Sequence, residues 1–126
     1  MDFSGKSILV VDDDNRFIKI VKKHLEGFGF EVPSSNNLTE AYEYLDENLP
    51  DLILLDLNMS SEFGGEFLVL RNRNERLKEV PVCICSANPD YSIAKSVIEM
   101  GVDDYIVKPF DNELLMNKVA TILNNN

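Results

Sequence analysis

The sequence predicts an α/β fold in three layers, with a parallel sheet covered by helices on both faces. Three observations carry that expectation. Short runs that are apolar at every position recur at Ile8–Val11, Leu52–Leu55, Val82–Cys85 and Tyr105–Val107, and such runs suit strands buried on both faces, as in parallel sheets. Between them lie segments whose apolar residues fall three and four apart, the spacing of a helix stripe. The two patterns alternate along the chain, which calls for crossover connections and therefore parallel, right-handed βαβ units.

The elements follow in order. Ile8–Val11 is the first strand and runs into Asp12, Asp13 and Asp14; Phe17, Val21, Leu25 and Phe28 stripe the first helix, which Gly27 and Gly29 close. Phe30–Val32 is a weaker run that ends at Pro33 and suits an edge strand, because proline cannot donate to a central ladder. Asn37 can cap a second helix striped by Leu38, Ala41, Tyr42, Leu45 and Leu49, with Pro50 beyond its end. Leu52–Leu55 is the third strand. The third helix, within Gly65–Leu77, is the weakest, since Phe67–Leu70 is apolar all round before the basic run Arg71, Arg73, Arg76 and Lys78, expected to form a solvated face. Val82–Cys85 gives the fourth strand; Pro89 opens a fourth helix striped by Ile93, Ala94, Val97 and Ile98, and Gly101 ends it. Tyr105–Val107 precedes a last helix striped by Leu115, Val119 and Ile122, and the Asn124–Asn126 tail is expected to fray.

Composition narrows the function. A chain of 126 residues makes one domain, 1–126, and 12 Lys+Arg against 22 Asp+Glu leave a net charge of −10. An acidic surface without a basic face disfavours nucleic acid, whose phosphates need clustered cations. No apolar run approaches the roughly 20 residues of a membrane span, and the start MDFSGKS lacks the basic and apolar regions of a secretory signal, so a cytoplasmic location is expected. Cys83 and Cys85 read as buried thiols, and His24, the one histidine, as an exposed helix residue; zinc would need more such ligands.

In an open parallel sheet each strand delivers its C-terminal end to one rim, where ligands bind. Here the first strand delivers Asp12, Asp13 and Asp14, the third Asp56, the fourth Ser86 and the fifth Lys108. Asp14 is better read as a helix cap than as a ligand. Asp56 ends the apolar run LILL, where an unpartnered carboxylate is destabilising. Two carboxylates about 5 Å apart repel by roughly 3 kcal/mol at an effective dielectric near 20. A hard divalent cation, Mg²⁺ or Mn²⁺, complements such an all-oxygen site, and its open positions suit phosphate oxygens. The rim therefore reads as phosphoryl chemistry with a carboxylate nucleophile.

Four ordered motifs, ILVVDDDN, LILLDLNM, ICSA and DDYIVKPF, together resemble the receiver domain of two-component response regulators over essentially the whole chain. The resemblance implies a flavodoxin-like, five-stranded parallel sheet of order 2-1-3-4-5 with five helices. It implies Asp56 as phosphoacceptor, Asp13 as direct metal ligand with Asp12 acting through water, and Asn58 offering its backbone carbonyl. Ser86 and Lys108 would meet the phosphoryl oxygens, the Lys108–Pro109 peptide would be cis, and Tyr105 would turn with the state of the site. The expected donor is a histidine kinase or histidine phosphotransfer protein. The expected output is a protein target meeting the fourth helix, fifth strand and fifth helix, including Lys95, Glu99, Tyr105 and Asn112. Such a domain is a phosphoacceptor switch, not an enzyme acting on a separate substrate.

Two alternatives share parts of the pattern. A small Mg²⁺-dependent haloacid dehalogenase-like phosphatase would use Asp12 as nucleophile, Asp14 after it and an acidic pair at Asp103–Asp104. A flavin-binding protein of similar topology would need a phosphate loop after the first strand, where three acids stand instead. Within the resemblance, many relatives have M-P and then D-G after the acceptor strand, whereas this chain has Met59-Ser60-Ser61-Glu62-Phe63-Gly64-Gly65; a looser or differently shaped loop is expected. Asn58 and Asn88, two residues beyond Asp56 and Ser86, are neutral amides placed to orient or obstruct a water.

Overall fold

A computed structural model describes residues 3–87 and 90–125; the expectations placed on Asn88, Pro89 and Asn126 lie outside the described residues. The elements run β1 (Ile8–Val11), α1 (Asn15–Glu26), β2 (Ser34–Ser35), α2 (Leu38–Glu47), β3 (Leu52–Leu55), β4 (Asn58–Met59), β5 (Glu62–Phe63), α3 (Gly65–Arg73), β6 (Val82–Ser86), α4 (Tyr91–Glu99), β7 (Asp104–Val107) and α5 (Asn112–Asn124). Five strands form one sheet in the order β2-β1-β3-β6-β7, and every neighbouring pair is parallel. Counted within that sheet, this is the expected order 2-1-3-4-5.

The continuous apolar runs are buried on both faces because each strand feeds two cores. Leu9, Val11, Ile53, Leu55, Val82 and Ile84 face α2, α3 and α4, packing with Leu45, Phe67, Leu68 and Val97. Ile8, Val10, Leu52, Leu54, Cys83, Cys85 and Ile106 face α1 and α5, packing with Val21, Leu25, Leu115 and Val119. The two thiols are thus free and buried on one face, as an i, i+2 pair on a strand must be. No helix among the described residues is long and apolar enough to cross a membrane.

Three details depart from expectation, and a fourth takes one of the two forms expected. The edge strand is assigned at Ser34–Ser35 rather than Phe30–Val32. The chain runs beside β1 from Glu31 onward, with the Ile8 N–H donating to the Glu31 carbonyl and the Val10 N–H to the Pro33 carbonyl. Pro33 lacks the N–H that a parallel ladder would direct back at β1, so regular pairing begins only after it. Phe30 and Val32 are buried all the same.

The basic run is not simply a solvated face. Arg71 is 5% exposed; its Nε and Nη2 donate to the Val80 carbonyl at 3.2 and 2.7 Å, and its Nη1 to the Gly101 carbonyl at 3.4 Å. Arg76 donates to the carbonyls of Leu45 and Asn48, acceptors left over at the C-terminal end of α2. His24 is half-buried rather than exposed: its ring meets Phe28 edge-on at 5.3 Å, and its buried Nε2 has no partner among the described residues.

The segment after Asp56 is differently shaped, as one of the two expectations had it, rather than looser. It folds into a small antiparallel hairpin in which Asn58 pairs with Phe63 and Met59 with Glu62, closed by Ser60 and Ser61.

Candidate functional site

The site is assembled by strand register. Val11 of β1 pairs with Leu55 of β3, and the Asp56 N–H donates to the Val11 carbonyl at 2.9 Å, so Asp12 and Asp56 leave adjacent strands at the same rim. Ser86 ends β6 opposite Val107 of β7, and the Lys108 N–H donates to the Ser86 carbonyl at 2.8 Å. Four strands thereby bring Asp12, Asp13, Asp56, Ser86 and Lys108 to one edge.

One carboxylate oxygen from each of Asp12, Asp13 and Asp56 lies within 4.8 Å of the others. Asp12 and Asp56 are 1% and 6% exposed, while Asp13 faces solvent. Lys108 Nζ sits 2.6 Å from Asp12 Oδ2 and 4.0 Å from the centre of the Phe17 ring, so the cation is held between an anion and a π face. The Lys108–Pro109 peptide is cis. Burial, the largest influence, raises the Asp56 carboxyl above the usual range; Lys108 opposes this, and Asp12 and Asp13 add to it. Asp13 is held below the usual range mainly by the Ser60 N–H, which donates to its Oδ2 at 2.6 Å.

The remaining expected residues surround the acids. The Asn58 N–H donates to Asp56 Oδ1 at 3.3 Å and its Nδ2 to Ser86 Oγ at 3.4 Å. Asp14 is a cap: its side chain accepts from the Arg16 and Phe17 N–H groups at the start of α1. Tyr105 is half-buried and packs on the α4 side of the sheet. Asp103 and Asp104 stand at the opposite edge, where Asp103 accepts from the Val82 N–H and Asp104 pairs with Lys118 at 2.8 Å. They cannot complete a phosphatase site with Asp12.

Sequence reasoning missed three parts of this architecture. The Ser60 N–H reaches Asp13, as given above. Glu62 accepts from the Leu38 N–H at 2.8 Å, tying the hairpin to the first turn of α2. Gly64 lies against the acceptor segment, its N–H donating to the Leu57 carbonyl at 2.6 Å. A Cβ there would stand 2.5 Å from the Asp56 carbonyl oxygen and 3.0 Å from Leu57 Cα, both backbone atoms that cannot swing aside. Gly64→Ala is therefore expected to destabilise the fold by about 2 kcal/mol, read as a lower urea midpoint at unchanged slope. A midpoint equal to wild type would mean that the hairpin gives way without cost.

A model of the response regulator receiver domain family matches residues 8–120. The chain is 35% identical over 116 residues to the uncharacterized transcriptional regulatory protein YvcP of Bacillus subtilis (strain 168), covering 92% of this chain and 48% of that protein. It is 36% identical over 119 residues to the transcriptional regulatory protein SrrA of Staphylococcus aureus (strain NCTC 8325 / PS 47), covering 94% of this chain and 48% of that one. The chain thus spans about half the length of the curated relatives it matches. A crystal structure of a putative response regulator from Chloroflexus aurantiacus aligns with a TM-score of 0.88 at 28% identity, covering 94% of this chain and 98% of that one.

Proposed function

The chain belongs to the response regulator receiver domain family, and on that premise we propose that residues 1–126 act as one receiver domain whose Asp56 carboxylate accepts a phosphoryl group. The observation that carries this reading is the meeting of Asp12, Asp13 and Asp56 within 4.8 Å beside an ammonium supplied from 96 residues away. A carboxylate that is buried, yet edged by the polar groups of Asn58, Ser86 and Lys108, suits a nucleophile better than a structural anion.

An all-oxygen set of three converging acids fits a hard divalent cation and offers nothing to a soft one. Asp12, Asp13, Asp56 and the Asn58 backbone carbonyl would hold Mg²⁺ or Mn²⁺. Bound there, the ion would supply charge neutralisation between the acceptor carboxylate and the incoming phosphoryl oxygens.

The chain's own residues do the rest. An Asp56 carboxylate oxygen attacks phosphorus of a phosphohistidine, held by a histidine kinase or a histidine phosphotransfer protein. The new O–P bond forms as the P–N bond breaks, and its electron pair returns to the donor imidazole. Lys108, released from Asp12, donates to a phosphoryl oxygen, and so does the Ser86 hydroxyl. Both act by position and charge rather than by covalent chemistry.

Adding a dianion beside Asp12 and Asp13 changes what Ser86 and Lys108 prefer to touch, and Tyr105 turns inward in response. This shifts the face made by α4, β7 and α5, with Lys95, Glu99 and Asn112, toward a form that a downstream protein recognises. The work belongs in the cytoplasm, where phosphohistidine donors face the chain. Incubation with a small phosphodonor and Mg²⁺ tests the reading: a single acid-stable, alkali-labile phosphoryl adduct mapped to Asp56 supports it, and an adduct on Asp12 overturns it.

A further inference from the structure

We propose that the backbone N–H of Ser60 positions Asp13, holding its carboxylate in the cation site before any cation arrives. The inference rests on the metal reading above and extends it to a group outside the acidic cluster.

Asp13 is the exposed member of the three acids. Nothing in its packing stops it from turning into water, and repulsion from Asp12 and Asp56 drives it that way. It nevertheless stays converged with both, within 4.8 Å, and the gap is spanned from another segment by the Ser60 N–H, which donates to Asp13 Oδ2 at 2.6 Å across 47 residues of sequence, with a weaker contribution from the Ser60 side chain. A charge-assisted bond this short is among the stronger kinds. It occupies one carboxylate oxygen and leaves the other for a cation. Preorganising a ligand in this way removes part of the ordering cost of binding.

The hairpin is built to deliver that donor. Met59 and Glu62 pair across the closing turn, and Glu62 fastens the hairpin to α2 through the Leu38 N–H. Among the described residues no non-glycine residue has a positive φ, so a left-handed backbone does not bar proline at Ser60. Met59, in a strand, tolerates a following proline. Ser60→Pro removes the N–H, and its urea midpoint reports whether the hairpin is spared.

The test is a MgCl₂ titration followed by amide NMR shifts, on wild type, Ser60→Pro and Ser60→Ala, with urea unfolding to verify that each folds. Ser60→Pro is expected to weaken Mg²⁺ binding about fivefold to tenfold, whereas Ser60→Ala, which keeps the N–H and loses only the weaker side-chain contact with Asp13, should weaken it clearly less than Ser60→Pro does. The Ser60 amide of metal-free wild type should also exchange slowly with solvent, and quickly in Asp13→Ala. Equal or tighter Mg²⁺ binding by Ser60→Pro would overturn the proposal, because the bond would then be idle or in competition with the ion. Wild type that takes up no Mg²⁺ at millimolar concentration would instead overturn the metal reading itself, and this inference with it.

Discussion

Asp56→Asn is expected to abolish adduct formation with a small phosphodonor and Mg²⁺, leaving no phosphorylated species detectable by intact-mass measurement. An amide oxygen is a poor nucleophile toward phosphorus, and no other carboxylate at the rim shares its setting. Asp12 is tied by one oxygen to the Lys108 ammonium and by the other to the Asp14 N–H, while Asp13 is exposed and engaged by Ser60. Only Asp56 combines burial with two polar groups, Asn58 and Ser86, that bond each other beside it. An adduct that persists in Asp56→Asn at wild-type yield would remove Asp56 from the mechanism.

The same substitution should stabilise the metal-free protein, by about 1–2 kcal/mol at pH 7. Burial, reinforced by Asp12 and Asp13, raises the Asp56 carboxyl in the folded chain, so the fold favours its neutral form. A raised acid costs nothing below its unfolded value of about 3.9; the cost grows as pH rises from there and is complete above the folded value. The gain from Asp56→Asn should accordingly shrink as pH falls toward the unfolded value and grow as pH rises above it. Asp13 runs the other way: being lowered, it adds stability that is present above its unfolded value and lost as pH falls through the folded one. Mg²⁺ should erase the advantage of Asp56→Asn at neutral pH, because it stabilises the wild type by mass action. A mutant no more stable than metal-free wild type would contradict the electrostatic account of the site.

How much of this was legible beforehand depends on which atoms do the work. Strands buried on both faces write themselves as unbroken apolar runs, and the residue after each run is fixed at the rim by the parallel topology. Asp12, Asp56, Ser86 and Lys108 could therefore be placed together from sequence. Groups that act through the main chain leave no such trace. The Ser60 N–H exists at any residue but proline, and the run of β2 past Pro33 is set by carbonyls rather than side chains. Asp13 had a place in the pattern, but the partner that holds it did not.

Arg71 is the instructive miss, because a signal was present. Counting charges along Arg71–Lys78 hides that Arg71 lies four residues after Phe67 and three after Leu68, on the stripe that both bury. Its guanidinium is the one side chain among the described residues seen to tie the end of α3 to both the entry of β6, through the Val80 carbonyl, and the turn after α4, through the Gly101 carbonyl. Asn72 adds a bond from its Nδ2 to the Met100 carbonyl at 2.8 Å. Helix α4 needs this anchorage, since Val97 is its one buried residue.

Arg71→Ala leaves the buried Val80 carbonyl without its donor, releases the Gly101 carbonyl and opens a void beside them. A loss of about 3 kcal/mol is expected, visible as a urea midpoint shift and as a drop of roughly 10 °C in Tm. Arg71→Lys should recover only part, because an ammonium on a flexible stem cannot reproduce a planar fork serving two carbonyls. Amide exchange should rise first at residues 97–102, where α4 turns into β7, before the rest of the sheet responds. If Arg71→Ala unfolds within about 0.5 kcal/mol of wild type, the guanidinium is not what fastens that end of α4, and the helix must be held by the packing of Val97 and Val102 alone.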